Sequence, residues 1–148
     1  MSKDDELPFE LTLHVRDHCL CMHVRRAARA LARRYDEALR PAGLTNGQFS
    51  LMMSLNRPAP PAIGDVSALL AMDRTTLTAN LKPLERRGLV TVAVDSADKR
   101  SRRLSLTEAG RSVLAAAVPI WKRAQAENES LVQDIDPDRV RGVLRALS

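Results

Sequence analysis

The sequence predicts a mostly α-helical fold with one small β-hairpin, in the order α-α-α-α-β-β-α-α. Three observations support this prediction: apolar residues recur every three to four positions over most of the chain, the period changes to two after Gly88, and prolines and glycines separate the periodic segments. The chain has 148 residues, of which 45% are hydrophobic and 28% charged, as expected for one ordinary globular domain spanning residues 1–148.

The first two helices are separated by Pro41. The first is predicted over about residues 12–40, with apolar positions at Leu20, Val24, Ala27, Leu31, Tyr35 and Ala38. The second starts at Thr45 and runs to about Asn56, because Thr45 and Gln48 have the three-residue spacing of a capping box.

The third and fourth helices are predicted to form a helix-turn-helix. The third follows the proline-rich break at Pro58–Pro61 and ends near residues 71–72, whereas Asp73 caps the fourth and Gly88 closes it. Apolar residues mark both helices: Ile63, Val66, Leu69 and Leu70 in the third, and Leu77, Leu81 and Leu84 in the fourth.

A β-hairpin follows, because valines alternate with other residues from Val90 to Val94 and Leu104 and Leu106 form a returning strand. The polar segment 95–103 between them carries four cations within its last five positions. It is predicted to be the exposed tip of the hairpin.

Two further helices complete the chain, the first capped by Thr107 and the second started by Asp136 and Pro137. The first, fifth and sixth helices carry apolar stripes that a chain of this size cannot cover alone, which predicts a homodimer. Residues 12–40 and 108–148 are therefore assigned to dimerisation, and residues 45–106 to the helix-turn-helix and hairpin.

The charge balance favours an anionic partner such as nucleic acid, since 23 Lys and Arg face 18 Asp and Glu. Aromatic residues make up only 3% of the chain, which argues against stacking on single-stranded bases and leaves duplex DNA. On the fourth helix, the residues off the core side are Arg74, Thr75, Thr76, Thr78, Ala79 and Lys82. Short and cationic side chains near a helix N-terminus suit contact with base edges and phosphates in the major groove.

The hairpin tip adds a second group of candidate DNA contacts: Lys99, Arg100, Arg102 and Arg103. A run of cations is often only a solvated surface. A run of cations that directly follows a helix suited to the major groove, however, is suited to phosphate contact and to insertion into the minor groove. Asp98 is expected to orient Arg100 through an ion pair.

These residues resemble the MarR family of bacterial transcription regulators. Asp98-Lys99-Arg100 followed by Leu106-Thr107-Glu108-Ala109-Gly110 is similar to the family's wing signature, and Leu77-Thr78 with Leu84-Glu85-Arg86-Arg87-Gly88-Leu89-Val90 resembles the recognition helix and its exit. The resemblance implies a winged helix-turn-helix homodimer that binds a pseudo-palindromic operator, usually as a repressor released by a small phenolic ligand or by oxidation. Pro83 departs from the pattern and is expected to kink the recognition helix.

The first helix also holds a cluster of His and Cys residues: His14, His18, Cys19, Cys21 and His23. Three interpretations stay open, namely packing of the thiols, a zinc site and redox sensing. The position of Cys21 relative to Leu44-Thr45, together with Tyr35, resembles the organic-hydroperoxide sensors of the same family. On one continuous helix the sulfurs of Cys19 and Cys21 would point apart and would not form a disulfide.

A small anionic or phenolic effector is a further expectation, with Arg16, His23 and Arg25 as candidate ligands. No cofactor, metal or membrane association is predicted, and the charged segment 3–6 does not resemble a signal peptide, so a cytoplasmic protein is expected. The preferred function is therefore a DNA-binding regulator and not an enzyme. The alternatives are a small thiol- or metal-dependent enzyme and an architectural DNA binder without sequence preference.

Overall fold

A computed structural model describes residues 7–148, and the segment 3–6 used in the signal-peptide argument lies outside them. The chain divides into two compact units, Met1–Arg34 and Tyr35–Ser148, and each is described by itself. The predicted boundaries of the helix-turn-helix and dimerisation regions stay predictions. Among the described residues, no helix combines the length and apolar character needed to cross a lipid bilayer.

The first unit contains α1 (Phe9–His18) and most of α2 (Leu20–Leu39). A single helix was expected here, but Cys19 separates the two with an extended backbone, φ −68° and ψ 108°. The Cys19 N–H still donates to the Val15 carbonyl at 2.9 Å, so the break occupies one residue. Neither proline nor glycine marks this position, and the apolar periodicity therefore gave no signal of it.

The second unit contains the remaining elements, which begin with a short 3₁₀ turn at Arg40–Ala42. They are α3 (Asn46–Ser54), α4 (Ile63–Leu69), α5 (Arg74–Arg86), β1 (Val90–Val94), β2 (Arg102–Leu106), α6 (Glu108–Glu129) and α7 (Pro137–Ala146). The strands pair antiparallel, with Val90 opposite Leu106 and Val94 opposite Arg102. The predicted fold class is confirmed, but β2 begins at Arg102, so Arg102 and Arg103 lie in a strand and not in the tip.

Four of the predicted helix starts are confirmed by side-chain caps, whereas the first helix starts at Phe9 and not near residue 12. Thr45 and Gln48 form the reciprocal capping box of α3, in which the Gln48 N–H donates to Thr45 Oγ1 at 3.2 Å and Gln48 Oε1 accepts from the Thr45 N–H at 3.0 Å. Asp73 caps α5, Thr107 caps α6 and Asp136 caps α7. These caps satisfy N–H groups that have no partner within their own helix.

The core of the second unit lies between α3, α4, α5, the hairpin and α6. Its most fully buried side chains are Leu39, Met52, Val66, Leu77, Leu81, Leu84 and Leu104. Leu77, Leu81 and Leu84 all belong to α5, so one face of this helix is fixed against the core and its other face is exposed. The rings of Phe49 and Trp121 stack beside this core with centroids 5.8 Å apart.

The turn between α4 and α5 requires a left-handed backbone at Ala71, which has φ 49°. Residues with a Cβ atom rarely adopt this conformation, so the surrounding turn has to hold Ala71 in it. The Ser67 hydroxyl donates to the Met72 carbonyl across the same turn. This bond closes the turn that joins α4 to α5.

Gly110 allows the start of α6 to approach β1 closely. The Thr107 N–H donates to the Leu89 carbonyl at 3.1 Å, and the Thr107 hydroxyl donates to the Gly88 carbonyl at 2.6 Å. A Cβ atom on Gly110 would lie 2.0 Å from the Leu89 carbonyl oxygen, far inside van der Waals contact. The Leu106–Gly110 motif therefore joins the hairpin to α6, and the glycine in it is a steric requirement.

Candidate nucleic-acid interface

The exposed face of α5 forms a shallow concave surface of about 370 Å³. It is lined by Arg74, Thr75, Thr78, Ala79 and Lys82, which are five of the six residues predicted on this helix to contact DNA. Two cations rim this surface, and Ala79 adds no side chain beyond Cβ. A surface of this kind can approach the edges of bases closely while its cations meet phosphates.

Thr76, the sixth predicted residue, is engaged in capping α5. Its N–H donates to Asp73 Oδ1 at 2.8 Å and its hydroxyl to Asp73 Oδ2 at 2.7 Å. The Thr76 N–H and hydroxyl hold the pKa of Asp73 below its usual value. The Thr78 hydroxyl donates to the Arg74 carbonyl at 2.8 Å, whereas the Thr75 hydroxyl makes no hydrogen bond with a described residue. Of Thr75, Thr76 and Thr78, only Thr75 thus has a hydroxyl without a hydrogen-bond partner among the described residues.

The helix continues through Pro83 to Arg86. Proline removes one backbone N–H, but helical bonding resumes in the next turn, where the Arg87 N–H donates to the Pro83 carbonyl at 3.1 Å. Pro83 lies near the C-terminal end of α5, away from the Arg74–Ala79 half of the exposed surface. The expected kink stays a prediction.

The tip of the hairpin is organised by Asp98, although not through the expected ion pair. Asp98 Oδ1 accepts from the backbone N–H of Arg100 at 2.9 Å, and the Asp98 carbonyl accepts from the Ser101 N–H at 3.0 Å. Among residues 7–148 the guanidinium of Arg100 makes no ion pair with Asp98, so this predicted pair is wrong. The short carboxylate instead closes a tight turn by bonding the backbone two residues ahead.

The two arginines of β2 differ in their bonding. Arg102 is exposed, and its Nη1 donates to the carbonyls of Lys99 and Ser101, both at 3.2 Å. Arg103 instead forms an ion pair with Asp95, in which Nε donates to Oδ2 at 2.6 Å. The predicted DNA contacts in the hairpin are all exposed, but they differ in pairing: Lys99, Arg100 and Arg102 make no ion pair with a described residue, whereas Arg103 is paired with Asp95.

Asp95 was not identified from the sequence as a functional residue. Its residue surface is 7% exposed, and its Oδ1 accepts from the Ala97 N–H at 2.8 Å. That N–H and the Arg103 guanidinium hold the pKa of Asp95 below its usual value. A signal was present, because Asp95 directly follows the alternating strand and is the first carboxylate of the segment that holds all four cations.

The thiols of the first unit are both free, with Cys19 half-buried and Cys21 exposed. Because Cys19 is not helical, the argument that the two sulfurs point apart on a continuous helix no longer holds. The rings of His14 and His18 stack with centroids 4.2 Å apart, and His23 Nδ1 bonds the Cys19 carbonyl at 2.7 Å. Within the described part of the chain, no group of three or more His, Cys, Asp or Glu side chains is arranged to hold a metal ion.

Tyr35, predicted to assist a reactive thiol, is engaged with α6 in the second unit. Its hydroxyl donates to Gln125 Oε1 at 2.5 Å, and Gln125 Nε2 donates to Glu129 Oε1 at 2.6 Å. Burial raises the pKa of Tyr35 above its usual value. The chain of bonds continues to α7, because Arg141 Nη1 donates to Glu129 Oε1 at 2.6 Å.

The residues predicted to bind an effector are only partly brought together. An open groove of about 430 Å³ on α2 is lined by His23, Arg26, Ala27, Arg29, Ala30 and Arg33. Of the predicted residues, His23 lines it, whereas Arg16 and Arg25 do not. Arg16 instead pairs with Asp17 at 2.6 Å on an exposed surface of α1.

Comparisons with known proteins place this architecture among transcription regulators. A family model described as a winged helix DNA-binding domain matches residues 44–110. The transcriptional activatory protein BadR of Rhodopseudomonas palustris is 35% identical over 79 residues, or 51% of this chain. The match spans 45% of BadR, so this chain covers less than half of that relative's length.

Two solved structures match over much more of their length. The structure of the M. tuberculosis transcriptional regulator MosR in complex with DNA is 42% identical, with a TM-score of 0.81 over 88% of this chain and 93% of MosR. The transcriptional repressor CouR, bound to a 23-mer DNA duplex, is 25% identical, with a TM-score of 0.79 over 97% of this chain and 99% of CouR.

The helix-turn-helix and the two-stranded wing after it agree with these matches. The likeness to MosR extends beyond the winged helix region to nearly the whole of that chain, at an identity well above what fold similarity alone requires. The chain belongs to the MarR family of winged helix-turn-helix transcription regulators.

Proposed function

We propose that this protein is a sequence-specific duplex-DNA-binding transcription regulator in which α5 reads base edges and the wing contacts the DNA backbone. The observation that carries the proposal is the exposed α5 surface of Arg74, Thr75, Thr78, Ala79 and Lys82. The opposite face of the helix is anchored in the core by Leu77, Leu81 and Leu84, so this surface is rigidly presented. No catalytic turnover is part of the proposal.

The direction of regulation proposed is repression of a pseudo-palindromic operator. CouR is described as a repressor and its structure contains a DNA duplex, which supports this direction. BadR is described as an activatory protein, so activation is the other outcome of a promoter assay. A reporter gene placed downstream of a selected operator tests the proposal, because expression should fall when the protein is produced.

The division of labour between helix and wing predicts two kinds of mutational effect. Thr75→Ala should weaken binding at particular base positions by about 1 kcal/mol, because a donor to a base edge is lost. Arg100→Ala should weaken binding to all duplexes alike and reduce the slope of log affinity against log salt by about one unit. The operator is first selected from a pool of random duplexes. The affinity of each variant for this operator and for random duplexes is then measured over a range of salt concentrations.

Three outcomes of that experiment would oppose the proposal. If selection from random DNA enriches no sequence, the protein is an architectural binder without an operator. If Thr75→Ala weakens operator and random DNA equally, α5 does not carry the specificity. If the protein shows no salt-dependent duplex binding at all, a thiol- or metal-dependent activity of the His and Cys cluster becomes the function to test.

A homodimer is proposed because the terminal helices expose apolar residues. In the first unit, α1 has no buried residue and exposes Phe9, Leu11 and Val15. In the second unit, α7 has no buried residue either, and an apolar groove of about 420 Å³ is lined by Ile135, Arg139, Val140, Val143 and Leu144. We propose that a second copy of the chain covers these surfaces. Two identical copies of the helix-turn-helix and wing, related by a two-fold axis, match the two half-sites of a pseudo-palindromic operator.

Placing a charge in the α7 groove should therefore separate the protomers. Val143→Asp is expected to convert a dimer at micromolar concentration into a monomer, because a carboxylate would be moved from water into an otherwise largely apolar groove. Arg145→Asp is the control, since it introduces a carboxylate on the other face of α7 and lowers the net charge by two units where Val143→Asp lowers it by one. A dimer retained in this control shows that added negative charge alone does not separate the protomers. Sedimentation velocity measures both, and a wild-type protein that is monomeric while binding its operator fully would contradict the dimer.

Release by oxidation at Cys21 is proposed as the regulatory step. Cys21 is exposed, and a hydroperoxide can convert its thiolate to a sulfenic acid while the hydroperoxide is reduced to an alcohol. The sulfenic acid can then condense with a second thiol, releasing water. Cys19 becomes a candidate for that thiol, because the helix is interrupted at its position.

Oxidation should lower operator affinity at least about tenfold in the wild-type protein and leave the Cys21→Ser variant unaffected. Cys19→Ser separates the two routes, since its response is lost only if a Cys19–Cys21 bond is required. Operator affinity and free thiols are measured before and after an organic hydroperoxide. Indifference of the wild type, or an equal response of Cys21→Ser, would make the thiol structural, and an anionic ligand at the α2 groove would be the next candidate effector.

A further inference from the structure

Arg103 lies where the wing meets the segment that leads into α4. On one side it pairs with Ala93 of β1, and on the other it forms a β-bridge with Ala62. The neighbouring Leu104 N–H donates to the Pro61 carbonyl at 3.0 Å. The strand β2 is therefore bonded along both edges at this point, to its own hairpin and to the start of the helix-turn-helix.

The guanidinium of Arg103 adds side-chain bonds across the same junction. Its Nε donates to Asp95 Oδ2 at 2.6 Å, and its Nη1 donates to the Pro60 carbonyl at 3.2 Å. The Asp95 side chain is 8% exposed, and its other oxygen accepts from the Ala97 N–H. A single planar guanidinium thus connects the end of β1 with the segment before α4, which matches the several donors that arginine presents in fixed directions.

This bonding opposes a role for Arg103 as a phosphate contact. Its charge is already neutralised by a carboxylate at 2.6 Å, whereas the side chains of Lys99 and Arg100 make no ion pair with a described residue. Moving the guanidinium to a DNA phosphate would leave the nearly buried Asp95 without its cation. Removing one partner of such a pair is costly, because the other charge remains desolvated.

We propose that Arg103 is a positioning residue that, with Asp95, holds the wing in place relative to α4 and α5, and that it does not contact DNA. The proposal rests on the proposed function, because the wing has to be held for Lys99, Arg100 and Arg102 to reach the backbone while α5 reads the bases. Asp95 thereby becomes a residue required for DNA binding despite its negative charge.

The sign of one mutational effect tests this role. If Arg103 contacted phosphate, Asp95→Asn would free its charge and strengthen DNA binding. The positioning role predicts the opposite: Asp95→Asn and Arg103→Gln each weaken operator binding about tenfold, and the double variant is no weaker than either single one. Asp134→Asn is the control, because it raises the net charge equally at an exposed carboxylate that has no hydrogen-bond partner among the described residues.

Arg103→Lys provides a second test that does not depend on Asp95→Asn folding. A lysine ammonium could still meet a phosphate as a point charge, so a contact residue would keep most of its affinity and salt dependence. A lysine carries its three N–H donors on one nitrogen and lacks the separate Nε and Nη1 with which Arg103 reaches Asp95 and Pro60, so the positioning role predicts about tenfold weaker binding. Retained affinity in Arg103→Lys, or stronger binding in Asp95→Asn, would overturn the proposal.

Amide hydrogen exchange distinguishes failure of this proposal from failure of the proposed function. In the absence of DNA, Arg103→Lys should increase exchange at the Leu104 N–H, which donates to Pro61 across the junction, and leave exchange in α6 unchanged. If exchange at Leu104 is faster but the protein enriches no operator sequence, the proposed function as a sequence-specific regulator is rejected, whereas the bonding role of Arg103 between the wing and the segment before α4 is retained. Unchanged exchange at Leu104 in a protein that binds its operator would reject the positioning role alone.

Discussion

Gly110→Ala is expected to lower the free energy of unfolding by about 3 kcal/mol, at the upper end of the usual cost of overpacking a well-packed site. The added Cβ would lie 2.0 Å from the Leu89 carbonyl oxygen, and the atom it meets is backbone, which cannot rotate away. Relief requires α6 to move from β1, which breaks the 3.1 Å bond from the Thr107 N–H to that same carbonyl. Urea denaturation followed by far-UV circular dichroism measures the loss.

The matched control is Gly47→Ala, because a Cβ at Gly47 meets no atom within 4 Å. That substitution should change stability by no more than about 0.5 kcal/mol, since alanine is well tolerated in an exposed helix. If Gly110→Ala is as stable as Gly47→Ala, the close approach of α6 and β1 is not present in solution. The glycine of the wing motif would then need a different explanation.

The second unit could be predicted from the sequence because each of its signals is local. Thr45 and Gln48, Asp73, and Thr107 act on N–H groups within three residues of themselves, so spacing alone identifies them. The α5 surface could be predicted for a similar reason. Once Leu77 and Leu81 are assigned to the core, helical geometry assigns Thr75 and Ala79 to the exposed face.

The features that sequence reasoning missed depend on residues far apart in the chain or on one backbone angle. The bond from Arg103 to the Pro60 carbonyl joins positions 43 residues apart, and no periodic pattern reports such a contact. The engagement of Tyr35 with Gln125 spans 90 residues. No proline or glycine marks the break at Cys19. None is required, because the φ of Cys19, −68°, is close to the helical value and only its ψ, 108°, differs from that of a helix.

Ala79→Glu is expected to reduce operator affinity at least about a hundredfold while leaving the fold intact. Ala79 lies in the middle of the exposed α5 surface, so a glutamate there would fill the space that lets the helix approach the bases and would place a carboxylate against the DNA. Both residues are good helix formers and the position is exposed, so the free energy of unfolding should change little. Affinity for the selected operator, measured at fixed salt concentration, gives the effect.

Two further variants separate charge at the interface from charge in general. Ala115→Glu lowers the net charge equally on an exposed face of α6, and sedimentation velocity checks that its oligomeric state is that of the wild type. If that state is unchanged, an equal loss of affinity would mean that only total charge matters. Ala79→Gln adds the same bulk without the charge, and it should weaken the operator less than Ala79→Glu while shifting the preferred bases opposite position 79. Such a shift is expected only if α5 lies in the major groove, because a helix held against phosphates alone would lose affinity without changing its sequence preference.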